Sequence, residues 1–568
     1  MNSSDFSLNK LRMDYRVPLP RILEHTDSLT PLTSEFPQSL PENVAKFFPH
    51  TAGKPLLTFK PGPPISRRPL RIAALFSGGQ APGGHNVISG LFDYLKKHHS
   101  NGQLIGFLGG PSGLINNHAI EITETLISTY RNQGGFDLLG SGRTKIESPE
   151  QFAAAVKTVN DLGLDGLIII GGDDSNTNAA LLAEYFIACE VQTSVIGVPK
   201  TIDGDLKNNN IECSFGFDTA SKLYSDLIAN IQRDAISAKK YCHFIKLMGR
   251  TASHLTLECA LRTQPNGALI GEEIAKEKKS LQDVVHDLAE TICRRAAAGK
   301  EYGVYLIPEG LLEFIPECKD LIKELNTLLT TDKTIAPSLD QLDLPEKKLA
   351  FIQERLSSHS KTCFQLFPHE IKLQLLQDRD PHGNIQVSHI ESERLMISLL
   401  NIELTKRRAN GSYKGTFKPL PHFYGYEGRS CYPSNFDAQY CYALGQVAGV
   451  LVQAEATGYL ACIKKLTSPL SDWEISGIPL SSMMVIEERG GKTKPVLSKA
   501  LVDLVGAPFM AFQKNRDGWA VDDRYVYPGP IQYFGPQELT NAMTITLQLE
   551  SEARKTSASQ QLTPSPRD

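Results

Sequence analysis

The sequence predicts an α/β protein with two doubly wound, Rossmann-like domains, a helical insertion and an N-terminal arm. Three observations predict this class. First, short uncharged apolar runs are each followed by a glycine-rich polar turn and then by helical periodicity. Second, this alternation occurs both before and after about residue 240. Third, a chain of 568 residues is long for a single domain. Because such runs are typical of buried parallel strands, whose carboxyl ends form ligand sites, chemistry is expected where the strands end.

Composition excludes several classes of function. The chain has 59 basic and 63 acidic residues, a net charge of -4, so nothing indicates nucleic acid and any anion site must be built locally. Its ten cysteines contain no C-x-x-C pair, which argues against a zinc site or a disulfide framework. There is no signal sequence and no run that is apolar enough to span a bilayer, so we expect a cytoplasmic protein without membrane contacts.

Several parts of the chain carry no chemical motif. Residues 1–69 are rich in proline and polar side chains and predict an arm packed on the outside of the body, whereas 551–568 predict a disordered tail. Residues 311–418 are leucine-rich with helical periodicity and predict an insertion that shields the site, makes subunit contacts or is passive. Residues 471–550 are expected only to complete the body.

The first strand, at 71–76, leads through the glycine-rich loop 77–86 into a helix. This loop matches neither G-x-G-x-x-G nor the P-loop pattern, so it either binds phosphate in another way or simply lets the strand and helix pack closely. A later turn, Gly140-Ser141-Gly142-Arg143, is expected at the same sheet edge. Arg143 is either a solvated surface charge or a bidentate phosphate clamp.

The central strand, at 166–171, ends in Gly172-Asp173-Asp174 and continues as a helix capped by Ser175 or Asn176. The N-terminus of a helix attracts phosphate, but two carboxylates would repel it unless a cation lay between them. Asp173 and Asp174 therefore indicate a hard metal bound through oxygen, Mg²⁺ by preference. The alternative is a surface turn with acidic capping residues.

The next strand ends in Pro199-Lys200-Thr201-Ile202-Asp203-Gly204-Asp205. If Asp203 and Asp205 face one pocket, each carboxylate raises the pKa of the other, which would suit a general base.

The second half of the chain repeats the alternation, with strands at 241–247 and 303–307 and a helix between them. This pattern predicts a second doubly wound domain, with the site in the cleft between the two. The core pattern resumes at 423–434, where Arg429 is the most promising phosphate ligand.

Taken together, the motifs resemble the phosphofructokinases, and specifically the long, pyrophosphate-dependent group. The resemblance covers about 70–310 and resumes at 420–460. Its motifs occur in the family's order: GGQAPGG at 78–84, Gly142-Arg143, GGDDS at 171–175, PKTIDGD at 199–205 and LMGR at 247–250. It implies two domains of the phosphofructokinase type, with a donor domain at 70–240 and a fructose 6-phosphate domain formed by 241–310 and 419–470.

The resemblance also implies the roles of individual residues. Asp203, with Asp205 beside it, would take the proton from the C1 hydroxyl of fructose 6-phosphate, and Asp173 would hold Mg²⁺. Lys200, Thr201, Arg143 and the backbone around Gly79 would stabilise charge on the transferred phosphoryl group. The sugar would be contacted by Met248, Gly249, Arg250 and Glu309, and its 6-phosphate by Arg429 and Tyr426.

Two positions indicate pyrophosphate as the donor. ATP-dependent relatives have glycine where this chain has Asp174 and Lys200. A carboxylate at 174 would repel the α-phosphate of ATP, whereas a lysine at 200 suits compact pyrophosphate. The implied enzyme is glycolytic, Mg²⁺-dependent, reversible and a homodimer or higher homo-oligomer. The alternatives are an ATP-dependent 6-phosphofructokinase, a non-catalytic regulatory subunit and another kinase with a Gly-Gly-Asp turn.

Overall fold

The computed structural model describes residues 12–26, 29–34, 40–63, 68–98, 101–331, 335–377, 385, 389–489, 492–527 and 543–561. The chain divides into two compact units, and each unit combines separate stretches of sequence. The first unit contains Met1–Ala220, Tyr426–Ala500 and Ile531–Gln548, and the second contains Ser221–Gly425, Leu501–Pro530 and Leu549–Asp568.

The strands of the described residues are, in chain order, β1 (Leu29–Ser34), β2 (Leu56–Pro61), β3 (Arg71–Ser77), β4 (Gln103–Phe107), β5 (Ala119–Glu121), β6 (Ser141–Gly142), β7 (Gly166–Gly171), β8 (Ser194–Thr201), β9 (Phe215–Gly216), β10 (Cys242–Leu247), β11 (Gly267–Ala268), β12 (Gly303–Pro308), β13 (Pro419–Tyr424), β14 (Tyr459–Lys464), β15 (Glu474–Pro479), β16 (Met484–Arg489) and β17 (Lys492–Leu497).

The α-helices of the described residues are α1 (Arg21–Glu24), α2 (Glu42–Ala45), α3 (Gly84–His98), α4 (Pro111–Ile115), α5 (Glu124–Ser128), α6 (Pro149–Asp161), α7 (Asp173–Ala188), α8 (Phe217–Ala238), α9 (His254–Thr263), α10 (Gly271–Glu277), α11 (Leu281–Ala297), α12 (Leu311–Phe314), α13 (Pro316–Thr331), α14 (Ile335–Asp340), α15 (Pro345–Gln353), α16 (Ser358–Leu366), α17 (His369–Gln374), α18 (Ser392–Ala409), α19 (Glu427–Ser430), α20 (Asn435–Gln453), α21 (Ala507–Val521) and α22 (Ile545–Gln561).

The first unit is built on a large sheet with the strand order β1-β2-β15-β14-β8-β7-β3-β4-β5, to which β6 and β9 are added beside β3 and β8. The strands from β14 to β4 are parallel, and the pairs at either end of the sheet are antiparallel. Strands β7 and β8 are buried along nearly their whole length, as their apolar runs predicted. Their carboxyl ends lie side by side, because Gly171 pairs with Pro199.

The sequence suggested an N-terminal arm on the outside of the body, but described parts of this arm are built into the first unit. Strand β2 pairs with β15 and so extends the sheet of the first unit. Val44 and Phe48 are fully buried in the core of that unit. The backbone N–H of Thr51 donates to the carboxylate of Glu184 on α7, at 3.0 Å. Short apolar pieces in the arm therefore complete the core and the edge of the sheet.

The second unit has a parallel sheet in the order β11-β12-β10-β13. Helices α12 to α18 cover most of the stretch assigned to an insertion, and their apolar faces share one core with β10 and β12. Inside this unit the ammonium of Lys246 on β10 lies 3.6 Å from the carboxylate of Glu393 on α18, and both side chains are buried. The inserted helices therefore form part of the core of the second unit.

Three predicted boundaries need correction. Residues 426–470, which we grouped with 241–310, belong to the first unit, where β14 pairs with β8 and α20 packs on α3. Helices α20 and α3 are in close contact, since a Cβ on Gly90 would lie only 2.1 Å from the carbonyl oxygen of Tyr442. Residues 221–240 belong to the second unit. In the tail, α22 continues through 551–561, whereas 562–568 lie outside the described residues.

A buried carboxylate pair lies in the first unit where α8 and α20 begin. The carboxylate of Asp437 is fully buried and accepts hydrogen bonds from the N–H groups of Gly216, at 3.1 Å, and Thr219, at 2.9 Å. Asp218 is also fully buried. Burial, and then the charge of Asp218, raise the pKa of Asp437 to about 7.

This raised pKa predicts a loss of stability as the pH rises. The folded protein keeps the proton on Asp437 to higher pH than the unfolded chain, whose aspartates titrate near 4. The stabilisation is therefore complete below about pH 4 and is lost as the pH rises towards 7. Between these pH values we expect the free energy of unfolding of Asp437→Asn to depend less on pH than that of the wild type. Denaturant titrations at a series of pH values measure this dependence. Parallel curves for the variant and the wild type would contradict this.

Candidate active site

The first loop of the site is fixed by β3 and β6. The end of β3 pairs with β6, so that Ser77 lies opposite Gly142, and this brings Arg143 beside the loop that follows β3. The N–H of Gly78 donates to the carbonyl of Gly142, at 2.9 Å, and the hydroxyl of Ser141 donates to the carbonyl of Gly78, at 2.5 Å. Gly78 has a φ of +85°, which favours glycine. The loop and the Arg143 turn therefore form one structure.

The second loop joins β7 to α7. The hydroxyl of Ser175 donates to the hydroxyl of Ser77, at 2.8 Å, and the side-chain amide of Asn176 donates to the carbonyls of Gly171 and Gly172. A Cβ on Gly171 would lie only 2.2 Å from the Cβ of Ser175, so this turn requires glycine. These contacts fix the N-terminus of α7, a favourable position for phosphate, beside the end of β3.

Lys200 is the buried cation of the site. It lies on β8, and only 6% of its surface is exposed. Its Nζ atom lies 3.4 Å from the position that a Cβ on Gly78 would occupy and 3.9 Å from that of a Cβ on Gly172. The two glycine loops therefore leave room for this ammonium group between them.

Two arginines converge near the same lysine. A Cβ on Gly79 would lie 3.3 Å from Nη1 of Arg429 and 3.7 Å from Nη2 of Arg143. The pKa of Lys200 is lowered to about 8, first by burial and next by the charge of Arg429, with Arg143 acting in the same direction. Three positive charges held close together, one of them buried, are typical of a site for an anion.

The position of Arg429 differs from the prediction. We grouped Arg429 and Tyr426 with the fructose 6-phosphate domain, but both belong to the first unit, which the chain enters at Tyr426. Tyr426 is 56% exposed, and the centre of its ring lies 5.2 Å from the guanidinium carbon of Arg429. Arg429 is thus part of the cationic group around Gly79.

The third loop follows Lys200 at the end of β8. The hydroxyl of Thr201 donates to the carboxylate of Asp205, at 3.2 Å, and accepts from the backbone N–H of Asp203, at 3.0 Å. Gly204 has a φ of +74°, which closes the turn. The charge of Asp203 acts on Lys200, since it raises the pKa of that lysine. Asp205 therefore fixes the turn, and the charge of Asp203, like that of Asp173, acts on the buried lysine.

Two lysines that the sequence analysis missed pair with the acidic turn. The Nζ of Lys499 lies 3.0 Å from Oδ2 of Asp173, and the Nζ of Lys145 lies 3.2 Å from Oδ1 of Asp174. Lys145 stands two residues after Arg143, so its position in that turn was a usable signal. Lys499 follows β17, in a region where we saw no chemical motif, and only the folded chain brings it to the site.

Four predicted residues come together in the second unit, at the carboxyl ends of β10 and β12. The N–H of Gly249 donates to the carboxylate of Glu309, at 3.1 Å, and Glu309 is 5% exposed. Gly249 has a φ of +120°, and Met248 is buried. A Cβ on Gly310 would lie 1.9 Å from the carbonyl oxygen of Arg250, so the two loops are in close contact. This arrangement can present Arg250 and Glu309 to one ligand.

The described residues contain no group of three or more His, Cys, Asp and Glu side chains arranged to hold a metal. Mg²⁺ does not need such a group, because it retains waters and commonly binds through one or two carboxylates plus the phosphates of a substrate. Asp173 fits this use. Its carboxylate lies at the N-terminus of α7 and is 24% exposed, and its charge acts to raise the pKa of Lys200. In the same described residues, no helix is both long and apolar enough to cross a membrane.

Known proteins are similar to this chain over most of its length. The sequence model of the phosphofructokinase family matches residues 71–341. The chain is 52% identical over 520 residues to the pyrophosphate--fructose 6-phosphate 1-phosphotransferase of Treponema pallidum, covering 90% of each chain. It is 48% identical to the protein of the same name from Porphyromonas gingivalis, covering 96% of this chain and 99% of that protein.

Two further comparisons extend this finding. The chain is 48% identical to the protein named as subunit beta of this enzyme in Ricinus communis, covering 95% of this chain and 97% of that protein. It has the fold of a solved structure, a pyrophosphate-dependent phosphofructokinase from Nitrosospira multiformis, with a TM-score of 0.52 and 14% identity, covering 84% of this chain and 98% of that chain. About half of the residues are identical to those of these relatives over nearly the whole chain, and this identity is sufficient to assign the chain to a family.

Proposed function

We propose that this chain, which belongs to the phosphofructokinase family, transfers a phosphoryl group from pyrophosphate to the C1 hydroxyl of fructose 6-phosphate, giving fructose 1,6-bisphosphate and phosphate. The observation that carries the proposal is the convergence of Lys200, Arg143 and Arg429 on the Gly78-Gly79 loop, with Asp203 close enough to act on Lys200. Cations and a candidate base at one sheet edge are the parts that phosphoryl transfer requires.

The cationic group binds and polarises the donor. As the bond to the leaving phosphate breaks, negative charge accumulates on the phosphate oxygens, and fixed cations stabilise that charge without reorganising. Lys200 is held for this role by burial between two glycine loops. Compact pyrophosphate suits a site whose central cation is buried, because the donor has no nucleoside to accommodate.

Asp203 acts as the general base on the sugar. Its turn is fixed through Thr201 and Asp205, so the carboxylate is positioned before the substrate binds. It accepts the proton from the C1 hydroxyl as that oxygen attacks the phosphoryl group. Met248, Gly249, Arg250 and Glu309 of the second unit would contact the sugar.

Asp173 would hold Mg²⁺, and the other ligands would come from water and from the donor phosphates. When bound, Mg²⁺ neutralises charge on the phosphates. The remaining proposals are that the reaction is reversible, that it serves glycolysis in the cytoplasm and that the enzyme is a homo-oligomer. Formation of pyrophosphate from fructose 1,6-bisphosphate and phosphate would test reversibility.

The deciding experiment supplies purified protein with fructose 6-phosphate and Mg²⁺, and with pyrophosphate or ATP in turn. We expect fructose 1,6-bisphosphate to form with pyrophosphate at a kcat/KM far above that for ATP. Faster turnover with ATP would indicate the ATP-dependent reaction, and no turnover with either donor would indicate a regulatory subunit.

Arg429→Ala tests which substrate this guanidinium binds. Because it lies with Arg143 and Lys200, we expect the KM for pyrophosphate to rise about 10- to 100-fold, as for the loss of a hydrogen bond to a charged group. The rise in KM for fructose 6-phosphate should be no larger. The measurement is initial rates with each substrate varied in turn, and a rise confined to fructose 6-phosphate would restore the predicted 6-phosphate role.

A further inference from the structure

The segment 497–500, which follows β17, joins two loops of the candidate site within the first unit. The N–H of Leu497 donates to the hydroxyl of Thr177, at 2.9 Å, and that hydroxyl donates to the carbonyl of Asp173 in the first turn of α7, also at 2.9 Å. The N–H of Ala500 donates to the carbonyl of Asp205, at 2.7 Å. The segment is therefore hydrogen bonded both to the acidic turn and to the loop that carries the candidate base.

This segment positions Lys499 so that its side chain pairs with the carboxylate of Asp173. Its Nζ lies 3.0 Å from Oδ2 of Asp173, and both side chains are about three-quarters buried. Asp173 also acts on Lys200, since its charge raises the pKa of the buried lysine. One carboxylate is thus shared between the central cation of the phosphate site and a second lysine that enters from the C-terminal part of the unit.

The segment is also held by main-chain hydrogen bonds that do not involve the ion pair. The backbone N–H groups of residues 497, 498 and 500 already anchor it to Thr177, Met483 and Asp205. The position of the ammonium group beside a metal-binding candidate therefore points to a role in ligand binding.

We infer that Lys499 is a further cation of the donor site, paired with Asp173 while the site is empty and released to the pyrophosphate oxygens when Asp173 engages the metal. This inference rests on the proposed function. The cations of the donor site then come from four separate stretches of the first unit, which contribute Arg143, Lys200, Arg429 and Lys499.

The inference predicts effects of opposite sign on metal and on pyrophosphate. A lysine beside Asp173 repels a free divalent cation and competes for its ligand, but it attracts a polyanion. Lys499→Met should therefore tighten the binding of Mn²⁺ alone and weaken the binding of a diphosphate. A residue that only stabilises the fold would shift both affinities in the same direction or neither.

The test uses the full-length protein and three variants: Lys499→Met, Lys499→Arg and, as a matched control, Lys494→Met. Lys494 lies on β17 and pairs with Glu147 at 3.1 Å, so the control removes a similar ion pair from the adjoining strand. Mn²⁺ binding is followed by electron paramagnetic resonance, and the binding of imidodiphosphate, which is not turned over, by calorimetry.

For Lys499→Met we expect imidodiphosphate to bind about 10- to 100-fold more weakly, in the range for a lost hydrogen bond to a charged group. Mn²⁺ should bind more tightly, the KM for fructose 6-phosphate should stay within about twofold and the melting temperature should change little. Lys499→Arg should restore most of the diphosphate affinity, and Lys494→Met should resemble the wild type.

Unchanged imidodiphosphate binding in Lys499→Met would overturn the inference, as would weaker binding of both Mn²⁺ and imidodiphosphate, which would make Lys499 a positioning residue for Asp173. If the methionine variant does not fold, Lys499→Gln takes its place with the same expected signs. A wild type that binds imidodiphosphate but does not phosphorylate fructose 6-phosphate would refute the proposed function, and the binding comparison would still decide the role of Lys499.

Discussion

Asp203→Asn is expected to lower kcat by about 10²–10⁴-fold, the usual contribution of a positioned general base. Asparagine has nearly the shape of aspartate but does not accept the proton from the sugar hydroxyl. The turn should survive, because it is fixed by the backbone N–H of Asp203 and by the contact of Thr201 with Asp205. Initial rates with pyrophosphate measure the loss, and calorimetry with fructose 6-phosphate checks that binding is retained.

Asp205→Asn is the matched control for this substitution. The carboxylate of Asp205 accepts a hydrogen bond from the hydroxyl of Thr201, and the carbonyl oxygen of asparagine can accept the same bond. We therefore expect a smaller loss of kcat than in Asp203→Asn. Near-wild-type turnover in Asp203→Asn, or a larger loss in Asp205→Asn, would remove Asp203 from the proposed role.

Replacing Asp174 and Lys200 together by glycine is expected to move donor preference from pyrophosphate towards ATP. Loss of Lys200 removes the buried cation and should lower kcat with pyrophosphate by about 10²–10³-fold, as for one lost transition-state contact. Asp174→Gly removes a carboxylate and also releases Lys145, whose ammonium could then attract the α-phosphate of ATP. The ratio of kcat/KM values for the two donors measures the shift, which should be larger in the double variant than in Asp174→Gly.

Lys145→Met separates the two effects at this position. It leaves the carboxylate of Asp174 without its lysine, so ATP should stay excluded.

The effects of Asp174→Gly and Lys200→Gly should not add, since both residues would border one chain of phosphates. A loss of pyrophosphate activity without any gain for ATP would mean that Asp174 is needed for catalysis but does not exclude ATP.

The central part of the site could be predicted from the sequence because buried parallel strands have a clear local pattern. The apolar runs of β7 and β8 placed the acidic turn and Lys200 at one sheet edge, and the structure has them there. The order of the motifs indicated the family, which the identity to the relatives confirmed. Both inferences depend on residues that are close together in sequence.

The parts that could not be predicted depend on pairing between distant segments. Nothing near Arg429 in the sequence shows that the chain re-enters the first unit at Tyr426. Lys499 reaches Asp173 only because the hairpin of β16 and β17 packs against α7. Strand β2 looked like part of an outer arm, because its partner β15 is more than 400 residues away in the sequence.

The order in which the strands of the first unit are synthesised differs from their order in the sheet. Strand β8 leaves the ribosome early, but its neighbour β14 follows the 205 residues from Ser221 to Gly425. At roughly 5–20 residues per second, that interval lasts about 10–40 s. During it β8 is paired only with β7 and with the short strand β9, and by its end the whole 221–425 stretch of the second unit has been synthesised. The second unit could therefore form its core before the sheet of the first unit is complete.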